Sequence, residues 1–397
     1  MKISVRAQNC TAEGAFEVLA KAKALEREQG IKVIHLEIGE PDFPTPAAVI
    51  ASCKNALDQG HTHYTPAAGI PELREAVAKY LNLHRGADYE PADVLISTGG
   101  KLLIFATCMT FLEEGDEAIY PDPGYPPYRS AIRLAGGHPV PLPLLEEDDY
   151  RVDIDRLSKL ITPKTRLIIL NSPQNPTGGV LHRADLEKIA EVVKGSNAVV
   201  FSDEIYSHLI YDKEVPHVSI ATLPGMKERT VLMDGMSKTY AMTGWRLAYA
   251  TVPREFFSPM QKIINNTVSC TPTFVQYAGI DALLGDNPEV AMMKEKFAKR
   301  RLLMVKLANQ IPGFHAREPL GAFYLFVNVK EILNKYQLTS KAFADHLLYQ
   351  AGVAILGGSA FGDTGEGYIR FSYANSSPNI EEAMDRIHKI VVKDFPL

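Results

Sequence analysis

Lys238 follows Ser237 a few residues beyond a short apolar run, Val231-Leu232-Met233, that stops at Asp234-Gly235. Such a run reads as a buried strand, and the Asp-Gly pair reads as its end. Open α/β sheets place ligands at the carboxyl ends of their strands. An amine desolvated there has a lowered pKa and attacks aldehydes. Arg246 stands eight residues further on and heads another apolar run, Leu247-Ala248-Tyr249-Ala250. An amine and a fixed guanidinium on one rim suit a ligand that carries both an aldehyde and a phosphate, and pyridoxal 5′-phosphate (PLP) is that ligand. A Ser-Lys pair after a strand is more often a solvated turn, so the reading depends on what the rest of the chain brings to the same place.

Several other strand ends carry complementary groups. Leu167-Ile168-Ile169-Leu170 runs into Asn171-Ser172-Pro173-Gln174-Asn175-Pro176-Thr177-Gly178, with a helical pattern over about 183–193 after it. Ala198-Val199-Val200-Phe201 ends at Ser202-Asp203-Glu204-Ile205-Tyr206. Apolar strands alternating with helices imply a largely parallel sheet covered on both faces. Asn175, Asp203 and Lys238 then converge on one crevice. The strand Val94-Leu95-Ile96-Ser97 turns through Thr98-Gly99-Gly100-Lys101 into an apolar helix, and a helix N-terminus suits a phosphate. A strand over 117–120 leads into Pro121-Asp122-Pro123-Gly124-Tyr125-Pro126-Pro127-Tyr128, whose prolines hold the loop rigid and present Tyr125 as a flat wall. In Gly39-Glu40-Pro41-Asp42-Phe43 the prolines around the segment exclude regular structure, and Gly39 lets a backbone N–H approach a ligand.

Outside this set, residues 14–29 carry a helical pattern ended by Gly30, a strand covers 33–36, and helices begin near Pro46 and at Pro71. Towards the C-terminus a charged amphipathic helix over 289–309 precedes a strand at 321–327, a helix at 340–351, a strand at 368–373 containing Arg370, and a helix at 380–393. The expected fold class is α/β. Residues 45–288 form a large PLP-binding domain with a mostly parallel sheet, and residues 1–44 and 289–397 form a smaller α/β domain built from both termini.

Composition narrows the function. A chain of 397 residues suggests about two domains. A net charge of −5 offers no basic footprint for nucleic acid. Cys10, Cys53, Cys108 and Cys270 have no metal-like or paired spacing and read as buried reduced thiols of a cytoplasmic protein. No apolar run approaches the roughly 18 residues of a membrane span, and Met1-Lys2-Ile3-Ser4-Val5-Arg6 has no apolar signal core, so export is not expected. His61 and His63 resemble a metal pair by spacing only, and no metal site is expected.

Taken together, Gly39-Glu40-Pro41-Asp42-Phe43, Asn175-Pro176-Thr177-Gly178, Asp203-Glu204-Ile205-Tyr206, Ser237-Lys238 with Gly244-Trp245-Arg246, and Tyr368-Ile369-Arg370 resemble the class I/II aminotransferases of PLP fold type I over nearly the whole chain. The resemblance implies that Lys238 holds PLP as an internal aldimine and later shuttles a proton. It implies that Asp203 pairs with the pyridine nitrogen, that Asn175 and Tyr206 hydrogen-bond the ring hydroxyl oxygen, and that Tyr125 stacks on the ring. Gly100, Lys101, Ser237 and Arg246 would hold the phosphate, and Tyr64 would reach the phosphate of a neighbouring subunit in a homodimer with shared active sites. Arg370 would clamp the substrate α-carboxylate, helped by the Gly39 backbone. One position departs from many relatives, which carry a phosphate-binding serine where this chain has Gly235.

The implied reaction moves the α-amino group of an L-amino acid to a 2-oxo acid, 2-oxoglutarate or pyruvate, by a ping-pong mechanism. A PLP-dependent β-lyase acting on sulfur amino acids is the alternative that the same cofactor residues allow. A regulator built on this fold would need an N-terminal DNA-binding module, for which the roughly 30 residues before the first strand are too few. The segment Asn265-Asn266-Thr267-Val268-Ser269-Cys270-Thr271-Pro272-Thr273, read as a loop, holds no lysine or arginine for a distal carboxylate. Phe16, Phe323 and Tyr373 are candidates for an apolar side-chain pocket.

Overall fold

The computed structural model describes residues 2–8 and 14–397, so the reading of Cys10 lies outside the described residues. Its strands are β1 (Ile34–His35), β2 (Val94–Ser97), β3 (Glu117–Asp122), β4 (His138–Pro143), β5 (Thr165–Asn171), β6 (Val199–Asp203), β7 (Thr230–Gly235), β8 (Ala248–Thr251), β9 (His315–Ala316), β10 (Tyr324–Asn328), β11 (Val353–Ala354), β12 (Leu356–Gly357) and β13 (Tyr368–Ser372). Seven of them form one sheet in the order β2-β8-β7-β6-β5-β3-β4. The pairs β3–β4, β3–β5, β5–β6 and β6–β7 are parallel, and β8 alone runs against its neighbours. The expected α/β class with a mostly parallel sheet is therefore what the chain adopts.

Side chains leave a strand alternately to its two faces, and here both faces are buried. Ile169, Phe201, Val231 and Met233 pack on one face with Leu103 and Ile104 of the helix Gly100–Phe111. Ile168, Leu170 and Val200 pack on the other with Leu186 and Ile189 of the helix Arg183–Lys194. Near-continuous apolar runs such as Thr230–Gly235 are what a doubly covered strand requires.

A second sheet has the order β12-β13-β10-β9 and is antiparallel, with Phe326 opposite Arg370. The N-terminal β1 pairs in parallel with β11, Ile34 opposite Val353, so residues near the start of the chain are built into its C-terminal part. Phe323, Leu325, Phe371 and Tyr373 are fully buried there against Phe297 and Met304 of the helix Pro288–Ala308 and Ile380 and Ile387 of the helix Ser377–Asp394.

Three sequence expectations need correction. Residues 265–268 are not loop but the last turn of the helix Arg254–Val268, and a helix resumes at Thr273, because the polar run Asn265-Asn266-Thr267 lies on an exposed amphipathic surface rather than breaking the helix. Among the described thiols only Cys108 is buried; Cys53 and Cys270 are half-buried, and all three are free. Phe323 and Tyr373 belong to the core just described and do not line the cavity where β5, β6 and β7 end, whereas Phe16, 58% exposed, does.

Candidate active site

A cavity of about 510 Å³ opens where β5, β6 and β7 end, between the seven-stranded sheet and the second sheet. Gly39, Gly100, Lys101, Tyr125, Asn175, Asp203, Tyr206, Ser237, Lys238, Arg246 and Arg370 all line it. Tyr64 is the one residue of the expected set that does not; it is 89% exposed. Within the sheet, Asn171 is paired with Asp203 and Asp203 with Met233, so the end of each strand delivers its functional turn to the same level.

Asp203 sits at the floor, 3% exposed. Its Oδ2 accepts from the Tyr128 hydroxyl at 2.6 Å and its Oδ1 from the Ile205 N–H at 3.2 Å. Burial pushes the carboxyl up to about 7, against these two donors, with Asp234 and Glu204 nearby adding to the rise. Both donors are neutral, so the carboxylate is suited to a cationic partner arriving from the cavity. Lys238, in the single helical turn Met236–Thr239, points its Nζ to the Gly39 carbonyl and lies 5.9 Å and 5.7 Å from the ring centroids of Tyr206 and Phe323. The Tyr206 hydroxyl shares a 2.7 Å hydrogen bond with the Tyr324 hydroxyl.

Arg370 leaves β13 with its guanidinium held on three sides. It donates to Asn175 Oδ1 at 3.0 Å and to the Glu37 carbonyl, and lies 4.4 Å above the Tyr324 ring and 4.8 Å from that of Phe361. At the opposite end, Gly99 takes φ +86°, a conformation open to glycine, and begins the helix Gly100–Phe111. A side chain at Gly99 would meet the Arg246 guanidinium, so the helix N-terminus and Arg246 form one cradle. Arg246 also donates to the Thr243 carbonyl at 2.9 Å. The Lys101 Nζ lies 5.6 Å from the centroid of the Phe16 ring and 6.0 Å from that of Tyr125.

Gly235 has a steric reason. A Cβ there would stand 2.9 Å from both Cα and Cβ of Ala248, its partner across the β7–β8 pairing. A serine does not fit, and the cradle is made without one. Tyr128, Tyr324 and Phe361 are site residues that sequence reading missed. Tyr128 had a usable signal, since it lies three residues after Tyr125, and the turn that closes with the Tyr128 N–H on the Tyr125 carbonyl at 3.1 Å brings the two ring centroids to 5.7 Å. Tyr324 and Phe361 had none, being brought in by strand pairing and a distant turn.

The charged residues of the lining are four basic, Lys101, Lys238, Arg246 and Arg370, and two acidic, Glu40 and Asp203. That excess suits a ligand set with several negative charges. A helix N-terminus with Arg246 fits a phosphate, a buried carboxyl at about 7 fits a ring nitrogen that gains a proton, and an amine between them fits an aldehyde. The donor set therefore matches PLP.

Comparison with known proteins agrees. Residues 31–387 match the family described as aminotransferase class I and II. An aspartate aminotransferase of Pyrococcus abyssi is 43% identical, over 93% of this chain and 94% of that protein. An aromatic-amino-acid aminotransferase of Thermococcus litoralis is 42% identical over the same shares, 93% and 94%. The crystal structure of a Pyrococcus protein A1 superposes with a TM-score of 0.93 at 40% identity, covering 99% of both chains. Nothing in these relatives points to a β-lyase. The chain belongs to the class I and II aminotransferases, and it is a PLP-dependent transaminase.

Proposed function

We propose that Lys238, Asp203, Asn175, Tyr206 and Arg370 carry the reaction, with the helix N-terminus at Gly100, Ser237 and Arg246 holding the cofactor phosphate and Tyr125 covering the ring. One observation carries this reading: a buried carboxyl, held at about 7 by burial and bonded to two neutral donors, faces the same cavity as an amine and a carboxylate-binding arginine. PLP, when bound, supplies an aldehyde that accepts the amino group and a ring that accepts electron density. Asp203 keeps a positive charge on the ring nitrogen favourable. Lys238 Nζ takes the proton from the substrate Cα and gives it back at the other end of the transfer. Arg370, already oriented by Asn175 and the Tyr324 ring, presents its fork to the α-carboxylate, and the Gly39 backbone closes the same corner. Tyr206 donates towards the ring oxygen while Tyr324 holds its hydroxyl in line.

The substrate end of the cavity has an apolar wall of Phe16, Ile38, Leu356 and Phe361, with the Lys101 ammonium over two of the aromatic rings at its mouth. This combination supports aromatic donors on the wall and an acidic 2-oxo acid such as 2-oxoglutarate at Lys101. The backbone of Lys101 then serves the phosphate and its side chain serves the substrate. Relatives named for aspartate and for aromatic amino acids fit both halves of that reading. The exposed Tyr64 supports a homodimer in which it completes the partner's site. The seven-stranded sheet lies within residues 45–288 and the two smaller sheets within 1–44 and 289–397, which supports that division, and the free thiols favour a reducing, cytoplasmic compartment.

The test is a panel of amino acids mixed singly with the PLP-loaded enzyme without any oxo acid. Loss of the yellow absorbance, fastest with aromatic and acidic donors and absent in Lys238→Ala, is expected. Full turnover by Lys238→Ala removes that lysine from the mechanism. Pyruvate release from a sulfur amino acid with the colour retained gives the β-lyase instead.

A further inference from the structure

Behind the cavity, on the far face of the same strands, lies a buried charged group that the roles above do not use. Arg85 is the last residue of the helix Pro71–Arg85. One arm of its guanidinium reaches Glu204, and the other reaches Asp234 and the Ser207 hydroxyl. The side chains of Arg85, Glu204 and Asp234 are 5%, 2% and 3% exposed. Glu204 directly follows Asp203, and Asp234 directly follows Met233, the residue paired with Asp203 across β6 and β7. Alternation along β7 sends Met233 to the cavity face and Asp234 to the opposite one.

The two acids also hold the turns that carry the site. Asp234 Oδ1 accepts the Gly235 N–H at 2.7 Å, at the start of the turn leading to Lys238. Glu204 accepts the hydroxyls of Ser202 at 2.8 Å and Ser219 at 2.5 Å and pairs with His217 at 2.8 Å. Tyr80, Tyr240 and Tyr249 complete the surroundings, and burial raises all three phenols so that they stay neutral. Two carboxylates thus share one guanidinium. Burial works against Glu204, but Arg85 and His217 outweigh it and keep that carboxyl low; burial of Asp234 prevails over what remains of Arg85, and its carboxyl is raised.

We propose that Arg85 is a positioning residue for the cofactor site: by offsetting one of the two negative charges of Glu204 and Asp234 behind the sheet, it sets the charge that Asp203 and Lys238 feel from that side. Arg85 does not line the cavity, so it acts only through these two acids. The inference rests on the reading of Asp203 and Lys238 given above.

The experiment follows the visible absorbance of PLP-loaded protein against pH. Colour in the wild-type protein, fixed at Lys238 by borohydride, checks the underlying reading by itself. Arg85→Met leaves negative charge behind the sheet, which favours the protonated form, so the midpoint of the colour change rises by about half a pH unit or more. Glu204→Gln keeps Arg85 and removes an acid, so the midpoint falls. The triple variant R85M/E204Q/D234N replaces the ionic group with uncharged side chains, a change that buried ion groups tolerate. It carries no net charge where one guanidinium and two carboxylates leave −1, so its midpoint falls below that of wild type, as in Glu204→Gln. If Arg85→Met does not fold, Glu204→Gln and the triple variant, both falling below wild type, read the same sign. Lower melting temperatures with unmoved midpoints, shifts of one sign in Arg85→Met and Glu204→Gln, or a triple variant displaced upwards like Arg85→Met each overturn the proposal.

Discussion

Asp203→Asn separates what this carboxyl does for the cofactor from what it does to the protein without it. Burial lifts Asp203 from 3.8 to about 7 in the folded chain. Between those values the folded protein holds a proton that the unfolded chain has released, so stability falls as pH rises through this window and levels off above it. About three pH units at 1.36 kcal/mol each amount to about 4 kcal/mol. Asparagine does not titrate and escapes that loss. Its one oxygen serves either the Tyr128 hydroxyl or the Ile205 N–H, not both, which costs about 1 kcal/mol. The cofactor-free variant is therefore expected to be about 3 kcal/mol more stable than wild type near pH 8, or about 4 °C in melting temperature for a chain of this size. Near pH 4 the advantage disappears. With PLP bound the order reverses, because the wild-type carboxylate then faces a positive charge, and turnover of the variant falls by about 10²-fold or more. Thermal denaturation of both proteins across this pH range, with and without PLP, is the assay. A cofactor-free variant that is less stable than wild type near pH 8, or a difference that does not change with pH, refutes the argument.

Arg370→Gln removes the fork and is expected to raise KM for amino acids by about 100-fold while leaving PLP affinity unchanged, as titration of the cofactor-free protein reads directly. Tyr128→Phe takes one of the two donors from Asp203, moving its carboxyl further up; the acidic limb of the pH–rate profile should shift to higher pH, with turnover down about 10-fold. Gly235→Ser forces a Cβ to within 2.9 Å of Ala248. It should cost about 1–3 kcal/mol of stability, seen as a lower melting temperature and not as a tighter phosphate site.

Much of the site was legible before folding because its residues sit at the ends of apolar runs. A strand that must be buried on both faces is a short unbroken apolar segment, and its end is marked by the first polar or glycine residue. That is why Asn175, Asp203 and Lys238 could be placed at one sheet edge from spacing alone. The proline-bearing strand β4 had no such mark. Pro139, Pro141 and Pro143 have no N–H to donate to a ladder, and only the position of β4 at the sheet edge makes room for them. The helical turn at 265–268 was hidden by asparagines that read as loop residues.

The sequence by itself determined the fold class, the cofactor chemistry and most of the residues that meet in the cavity, because period, turn chemistry and residue type are local properties. Tertiary structure alone decided that Tyr128 donates to Asp203, that Tyr324 supports both Tyr206 and Arg370, and that Arg85 bridges Glu204 and Asp234 from 119 and 149 residues away. Those contacts are set by strand order and by which face each side chain leaves. Neither is written in any one segment; both follow only when distant segments pack together.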